Sequence, residues 1–425
     1  MGDLTARIIQ TATAPPTDDA LAVMRLSLLD WIACGLAGRQ EPVAGIVAGM
    51  LDAEGGVGTA TGFDGVTRTA RATALYNGTV SHALDYDDTH FAHIGHVSVG
   101  VLPAALACAE VGNLTIGQFL NAALAGSEAS IRMGLELGRA HYEVGFHQTA
   151  TAGAFGATLA AALITTPDTT IHGHALGLAS TRAAGLKSQF GTMGKPYNAG
   201  LAGQTAIEAV QLAVRGMTSD PDGWDGPRGF IATHHGAGDI GPDGFMMPQV
   251  SHKFHACCHG LHAALDAVET LKPVDAAQIA AITIKTHPRW MSVCNQQDPR
   301  TGLAAKFSYR AVMAFSLRDH TTAALETFDD HLVNQDDVRA LMSKVTVAAD
   351  AALSEMQAEV TITLRDATAC KAASDLDAPQ PIAVRQRRVN AKAEALIGAE
   401  TVSACVSRIA DDAAPVRALT ALWNA

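Results

Sequence analysis

Thr149-Ala-Thr-Ala-Gly-Ala-Phe-Gly-Ala-Thr-Leu-Ala-Ala-Ala-Leu163 carries small, mostly apolar residues on nearly every face of a helical turn. A helix without a polar stripe has no side to show to water, so this segment reads as a helix buried on all sides. The segments around it have the same grain. Leu21, Met24, Leu28, Ile32 and Leu36 recur at helical spacing over 18–38, and Gly38 supplies a stop. Similar patterns predict helices over 44–53, 69–84, 99–111, 116–137 (with Thr115 as N-cap), 170–184 and 199–217. No alternating strand is legible before residue 217. The glycine-rich run Glu54–Gly62 reads as a loop. It lacks the preceding strand and following helix of a phosphate cradle, which argues against nucleotide binding.

Past His262 the character changes. A helix over about 256–271 is followed by alternating segments at 281–286, 344–347 and 359–365, with helical stretches at 303–317 and 335–343 between them. Residues 389–423 are helical again and can pack back on the first part of the chain. The expected fold is mainly α: an all-helical domain of 1–265 completed by 389–425, and a smaller α+β domain of 266–388.

Bulk properties narrow the class. A chain of 425 residues exceeds what one core usually holds. Apolar residues make up 48% and charged ones 17%, which excludes disorder, while only 5% aromatics favours closely packed helices over a sandwich. A formal charge of −12 argues against a nucleic-acid partner. Seven cysteines without small-domain spacing read as reduced thiols. No signal-peptide pattern opens the chain, and no apolar stretch reads as a membrane span of about 18 residues. A cytoplasmic protein with no membrane partner is expected.

Chemistry concentrates in Ala83-Leu-Asp-Tyr-Asp-Asp-Thr-His-Phe-Ala-His-Ile-Gly-His-Val-Ser98, where Asp85, Asp87, Asp88, Thr89, His90, His93 and His96 interrupt an apolar chain. Carboxylates and imidazoles are costly to desolvate, so such a knot is a hydrogen-bonded node or a reaction site. Three later stretches repeat the theme: His141–His147, Gly194-Lys-Pro-Tyr197 and His252–His262. We expect them to meet in one pocket. His147, at a helix start, suits a neutral imidazole with a lowered pKa. Tyr142 is a proton-transfer candidate or a core tyrosine with its hydroxyl tied down. Lys195, between Gly194 and Pro196, is placed to bind a carboxylate or move a proton; Lys253 has the same potential. Cys257 and Cys258 read as packing residues rather than chelators. The inventory suits proton abstraction beside a carboxylate, where cations stabilise an enediolate-like intermediate. No cofactor motif accompanies it. Two alternatives stay open: a metal-dependent hydrolase using the His90/His93/His96 cluster, and a non-catalytic binding protein.

With these motifs in hand, the chain resembles the MmgE/PrpD family, which includes 2-methylcitrate dehydratase, cis-aconitate decarboxylase and iminodisuccinate epimerase. The matching pieces are Asp85-Tyr-Asp-Asp-Thr89 with His96, Gly145-Phe-His147, Gly191-Thr-Met-Gly-Lys-Pro196, Lys253 with Cys258 and His262, Asp298-Pro-Arg-Thr301, and Ala305-Lys-Phe-Ser308. The resemblance implies a large all-helical domain closed by a smaller α+β lid, a homodimer, and a cofactor-free, metal-free site for a small polycarboxylate. It implies Lys195, His147, Tyr142, Asp85 and His96 as catalytic residues, with Thr89, Lys253, His93 and Cys258 on the substrate. The segment 138–147 is similar to one supplying a proton-transfer tyrosine in the epimerase. Two positions depart from the family pattern: Val97 follows His96 where proline is frequent, and Lys253 continues as Phe-His-Ala-Cys-Cys.

Overall fold

The computed structural model describes residues 3–220 and 223–424, and the chain forms two compact units. The first runs to His252 and resumes at Ile382; the second is Lys253–Pro381. The sequence alone places the boundaries at 265/266 and 388/389. The difference has a packing cause at each end. The helix His262–Glu269 lays Leu265 and Val268, both fully buried, against the sheet of the second unit, and the helix Ile382–Ile397 packs on Asp18–Gly38 of the first.

Among its described residues the first unit is mainly helical, with a two-residue antiparallel pair, Ala60–Thr61 with Thr67–Arg68, whose first strand falls in the stretch read as loop. At its centre lies Gln148–Thr165, with every residue from Gln148 to Ala162 buried. It packs against Ile116–Val144, Gly194–Val214 and Ser98–Val111. Small residues set how close these backbones come. A Cβ on Gly156 would lie 2.3 Å from the Gly126 carbonyl oxygen, and one on Gly153 would lie 3.2 Å from the Gly100 Cα.

Two helix boundaries differ from the sequence reading in ways that matter for chemistry. Ile116–Val144 continues past Leu137 through a kink at Gly138 (φ 65°, ψ −170°), so Tyr142 is helical rather than in an interruption. A non-glycine residue would be strained at that left-handed backbone. Gly194–Val214 starts five residues earlier than predicted, which moves Lys195 from a loop into a first helical turn. Pro196 is tolerated there because first-turn N–H groups have no intrahelical partner.

Asp18–Gly38 is long and apolar enough to pass for a membrane span, contrary to the expectation that no stretch would. Its most apolar window is 78% buried within the fold, as a core helix should be.

The second unit holds a four-stranded mixed sheet in the order Val345–Ala349, Ile279–Thr286, Gln357–Leu364, Ala369–Asp375. The first pair is parallel and the other two are antiparallel. Ile282, Ile284, Val360 and Ile362 are fully buried. Ala369–Asp375 escaped the sequence reading because its Ala-Cys-Lys-Ala-Ala-Ser lacks β-branched alternation; it is an edge strand joined to its neighbour by a tight turn. The predicted helix 303–317 is two pieces, Gly302–Ala305 and Tyr309–Leu317, each capped by the side chain of the residue before it (Thr301 and Ser308).

Candidate active site

Ala70–Ser81 opens on Thr69, whose hydroxyl accepts from the Ala72 N–H, and it ends on His82. The chain then turns through Asp85 in a left-handed conformation (φ 51°), which costs a non-glycine residue about 1–3 kcal/mol and persists only where its surroundings impose it. The loop after Asp85 is tied down at Asp88 and Thr89. Asp88 accepts from the Ser98 N–H at 3.1 Å and from its hydroxyl at 2.6 Å, fixing the start of Ser98–Val111. Thr89 and Ser251 exchange backbone hydrogen bonds at 2.9 and 2.7 Å.

The side chains of this loop form a relay. His82 Nδ1 donates to Asp87 at 2.9 Å. The other Asp87 oxygen lies 2.9 Å from His96 Nδ1, and His96 Nε2 lies 3.2 Å from Asp85 Oδ1. That same Asp85 oxygen accepts from Lys195 Nζ at 2.5 Å. His82 and Asp87 are fully enclosed, whereas Asp85 presents about half of its side chain (52%) to the surface. The relay therefore has a sealed end and an open one.

His147 sits beside it as the N-cap of the central helix, with its Nδ1 accepting from the Asn198 amide at 3.3 Å. Its ring lies 5.9 Å from that of His82 and packs edge-on against Phe190 at 4.9 Å. The Lys195 ammonium lies 5.3 Å over the same Phe190 ring.

Protonation follows from these placements. Burial alone would raise the Asp87 carboxyl, but His82 and His96 hold it well below the usual range. Burial would lower His96, but Asp87 and Asp85 raise it instead. His82 is pushed down to about 4 by burial against the opposing pull of Asp87. Burial, helped by His82 and Lys195, holds His147 well below its ordinary value. The resting site thus has His96 between two carboxylates that favour its protonated form, a neutral His147 and a lysine beside Asp85. One group is poised to give a proton, one to donate a hydrogen bond, and one to meet an anion.

Of the residues singled out in the sequence, Asp85, His96, His147 and Lys195 come together. Thr89 adjoins them in the chain, and its hydroxyl points to the Ser251 carbonyl at 3.4 Å. His93 is not on an open wall. It is fully buried against the helix Ile116–Val144, where a Cβ on Gly134 would lie 1.9 Å from its Nδ1, and burial takes it down to about 3. Tyr142 is engaged by Lys187, whose ammonium lies 3.6 Å over the ring and donates to the Tyr142 carbonyl at 2.8 Å. Lys253 and Cys258 belong to the second unit, where the Cys258 N–H donates to the Lys306 carbonyl at 2.9 Å.

Among the described residues, His90, His93 and His96 do not form a set with metal-binding spacing. His90 Nε2 faces the Met246 carbonyl at 3.3 Å, its Nδ1 accepts from the His93 N–H, and His96 turns to the carboxylates. Among the described residues, the one set with metal-binding spacing is His82, Asp87 and His96, whose donor atoms lie within 4.8 Å of one another. Their short nitrogen–oxygen separations suit shared protons, and Lys195 already supplies positive charge beside them. His82 and Asn198 are the participants that the sequence reading passed over. His82 could have been found from its position, a polar residue closing an apolar helix three residues before Asp85.

Residues 2–243 match the MmgE/PrpD N-terminal domain and residues 255–395 match the MmgE/PrpD C-terminal domain. The chain belongs to the MmgE/PrpD family. Among curated proteins it is similar to the cis-aconitate decarboxylase-like protein oryM of Aspergillus oryzae (strain ATCC 42149 / RIB 40), 26% identical over 389 residues, covering 81% of this chain and 79% of that protein. It is also similar to the cis-aconitate decarboxylase of Aspergillus terreus (strain NIH 2624 / FGSC A1156), 27% identical over 388 residues, covering 81% and 78%. In this MmgE/PrpD chain the whole relay from His82 to Lys195 lies within the N-terminal match. Cys258 falls in the C-terminal one, and Lys253 falls between the two.

Proposed function

We propose that this protein is a cofactor-independent lyase that acts on a small di- or tricarboxylic acid, with decarboxylation of a cis-aconitate-like acid as the favoured reaction. The observation that carries the reading is the Lys195–Asp85–His96–Asp87 relay with neutral His147 beside it. Loss of CO2 from an unsaturated tricarboxylate needs a proton at the carbon next to one carboxylate while the bond to another carboxylate breaks. The electrons of that bond become the new alkene, and the original double bond takes up the proton. A charged imidazole can supply the proton, and cations and N–H donors can hold the negative charge that builds on the remaining carboxylates. His96 is suited to the first role and Lys195 to the second. His147, whose Nδ1 accepts from Asn198, would donate a hydrogen bond through Nε2. The similarity to decarboxylases supports this choice.

An epimerase would need a second proton-transfer group facing Lys195. Tyr142 is the sequence candidate; the Lys187 ammonium meets its ring face and its backbone carbonyl, contacts that do not involve its hydroxyl. The preference for decarboxylation therefore rests on the similarity to decarboxylases. Proton NMR of the purified protein in D2O with cis-aconitate, 2-methylcitrate and related acids tests the proposal. New alkene CH2 resonances with release of CO2 are expected. Solvent exchange without net conversion would mean an epimerase, a dehydrated product would mean a dehydratase, and no change with any acid would overturn the lyase reading.

A further inference from the structure

Next to the relay, at Tyr86, lies a buried ion pair formed by residues far apart in sequence. Lys392 of Ile382–Ile397 and Asp30 of Asp18–Gly38 are both 1% exposed, with Nζ 2.6 Å from Oδ1. The same ammonium donates to the Tyr86 carbonyl at 2.6 Å and lies 4.0 Å over the Tyr86 ring. Tyr86 stands between Asp85 and Asp87, the two carboxylates that flank His96.

We propose that Lys392 is a positioning residue for the reaction at this site: its ammonium fixes the Tyr86 carbonyl and, through it, the left-handed turn that presents Asp85 to His96 and Lys195. A buried ion pair is weak grounds for stability by itself, because desolvation of both ions offsets their attraction. What distinguishes this one is its third contact. Asp85 is held at φ 51°, its N–H donating to the His82 carbonyl at 3.1 Å and its carboxylate facing His96 and Lys195. The turn must therefore be fixed on its far side as well if that carboxylate is to stay in place. Asp87 is gripped from one side by His82 and His96, and the Tyr86 carbonyl is gripped from the other by Lys392. Two anchors on consecutive residues define the peptide geometry just after Asp85. Burial would strip the proton from Lys392, but Asp30 beside it holds the ammonium above its usual range, which keeps all its donors available. Asp30 in this arrangement balances charge, and the carbonyl is the working contact.

The kinetic arm of the test rests on the lyase reading above; a second arm does not. On an Asp30→Asn background, which removes the counter-charge, Lys392→Met and Lys392→Gln differ mainly in whether the side chain can donate to the Tyr86 carbonyl. With Lys392→Met/Asp30→Asn, kcat is expected to fall about 10- to 100-fold, the scale of a small misplacement of reacting groups, with KM little changed. Lys392→Gln/Asp30→Asn should recover part of that loss at equal thermal stability. The second arm is the NMR titration of the His96 imidazole, assigned by its loss in His96→Gln. It should move down in the Met variant as Asp85 drifts away, and move back in the Gln variant. Wild-type kcat and His96 titration in a folded Met variant would overturn the proposal, as would equal losses in both variants. Failure of both to fold would overturn it too, making Lys392 a determinant of the fold. If the wild-type protein converts none of the acids tested, the lyase reading falls while the titration still decides the role of Lys392.

Discussion

Lys195 Nζ lies 2.5 Å from Asp85 Oδ1, joining two residues 110 positions apart at the open end of a relay whose other end is sealed. In the proposed reaction, a substrate carboxylate would replace Asp85 as the partner of Lys195 and leave Asp85 to His96. The pair is thus a latch between the resting site and an occupied one.

Removing the lysine should therefore abolish chemistry without unfolding the protein, since its ammonium pairs with the half-exposed Asp85 rather than with a core group. Lys195→Ala is expected to keep the wild-type circular dichroism and melting temperature while kcat drops by about 100-fold or more, the scale of a lost acid, base or charge stabiliser. Turnover at the wild-type rate would remove Lys195 from the mechanism.

Asp87 should behave differently, because it is enclosed between two imidazoles. Asp87→Ala leaves a charged His96 in a buried site without its main counter-charge, at a cost of about 3–5 kcal/mol. The urea midpoint should fall with an unchanged slope, and a variant as stable as wild type would show that the pair contributes nothing to folding.

Acid should destabilise the protein well above the carboxylate range. His82 and His90 are held at about 4 and His93 at about 3, so the folded state refuses protons that the unfolded chain takes up near 6.5. Stability then rises with pH between about 4 and 6.5, and at pH 5.5 each of these imidazoles removes roughly 1 kcal/mol. His96 has the opposite sign: raised in the folded state, its contribution is complete below 6.5 and is lost as pH climbs through its folded value. His141, also held at about 4, and His147, His252 and His262, all lowered by burial, add to the first sign, while Asp30, raised to about 7 by burial, joins His96. The lowered imidazoles outnumber the raised groups, so melting temperature should drop from pH 7 to pH 5. A flat profile over that window would contradict this account. In the proposed reaction, loss of the His96 proton should also make kcat fall on the alkaline side.

Glycine positions give a paired test of the packing. Gly156→Ala would drive a Cβ to 2.3 Å from the Gly126 carbonyl and 2.6 Å from the Ser130 Cβ, and should cost about 1–3 kcal/mol. Gly49→Ala, in the helix Pro42–Glu54 with nothing within 4 Å, should instead stabilise by about 0.4–1 kcal/mol. Melting both variants beside wild type checks the pair; equal effects would mean that helix contact distance is not what selects glycine at 156.

The sequence by itself determined what local patterning can encode. Residues 149–163 announce a helix with no outward face, and the small side chains that make it so also admit the close approach of Gly126. The loop 83–98 announces a polar node because its carboxylates and imidazoles cannot be buried singly. Asp85, His96, His147 and Lys195 were all legible as chemistry for that reason. Partnership was not, because it depends on which side chains a tertiary fold aims at one another. Only the fold separated His96, turned to two carboxylates, from His93, three residues earlier and shut against Gly134. Only the fold tied Tyr142 to Lys187, drew His82 into the relay, and set Lys392 beneath Tyr86 from 306 residues away. Spacing along a chain records helical and strand periods; it carries no record of a contact closed by packing two distant helices together.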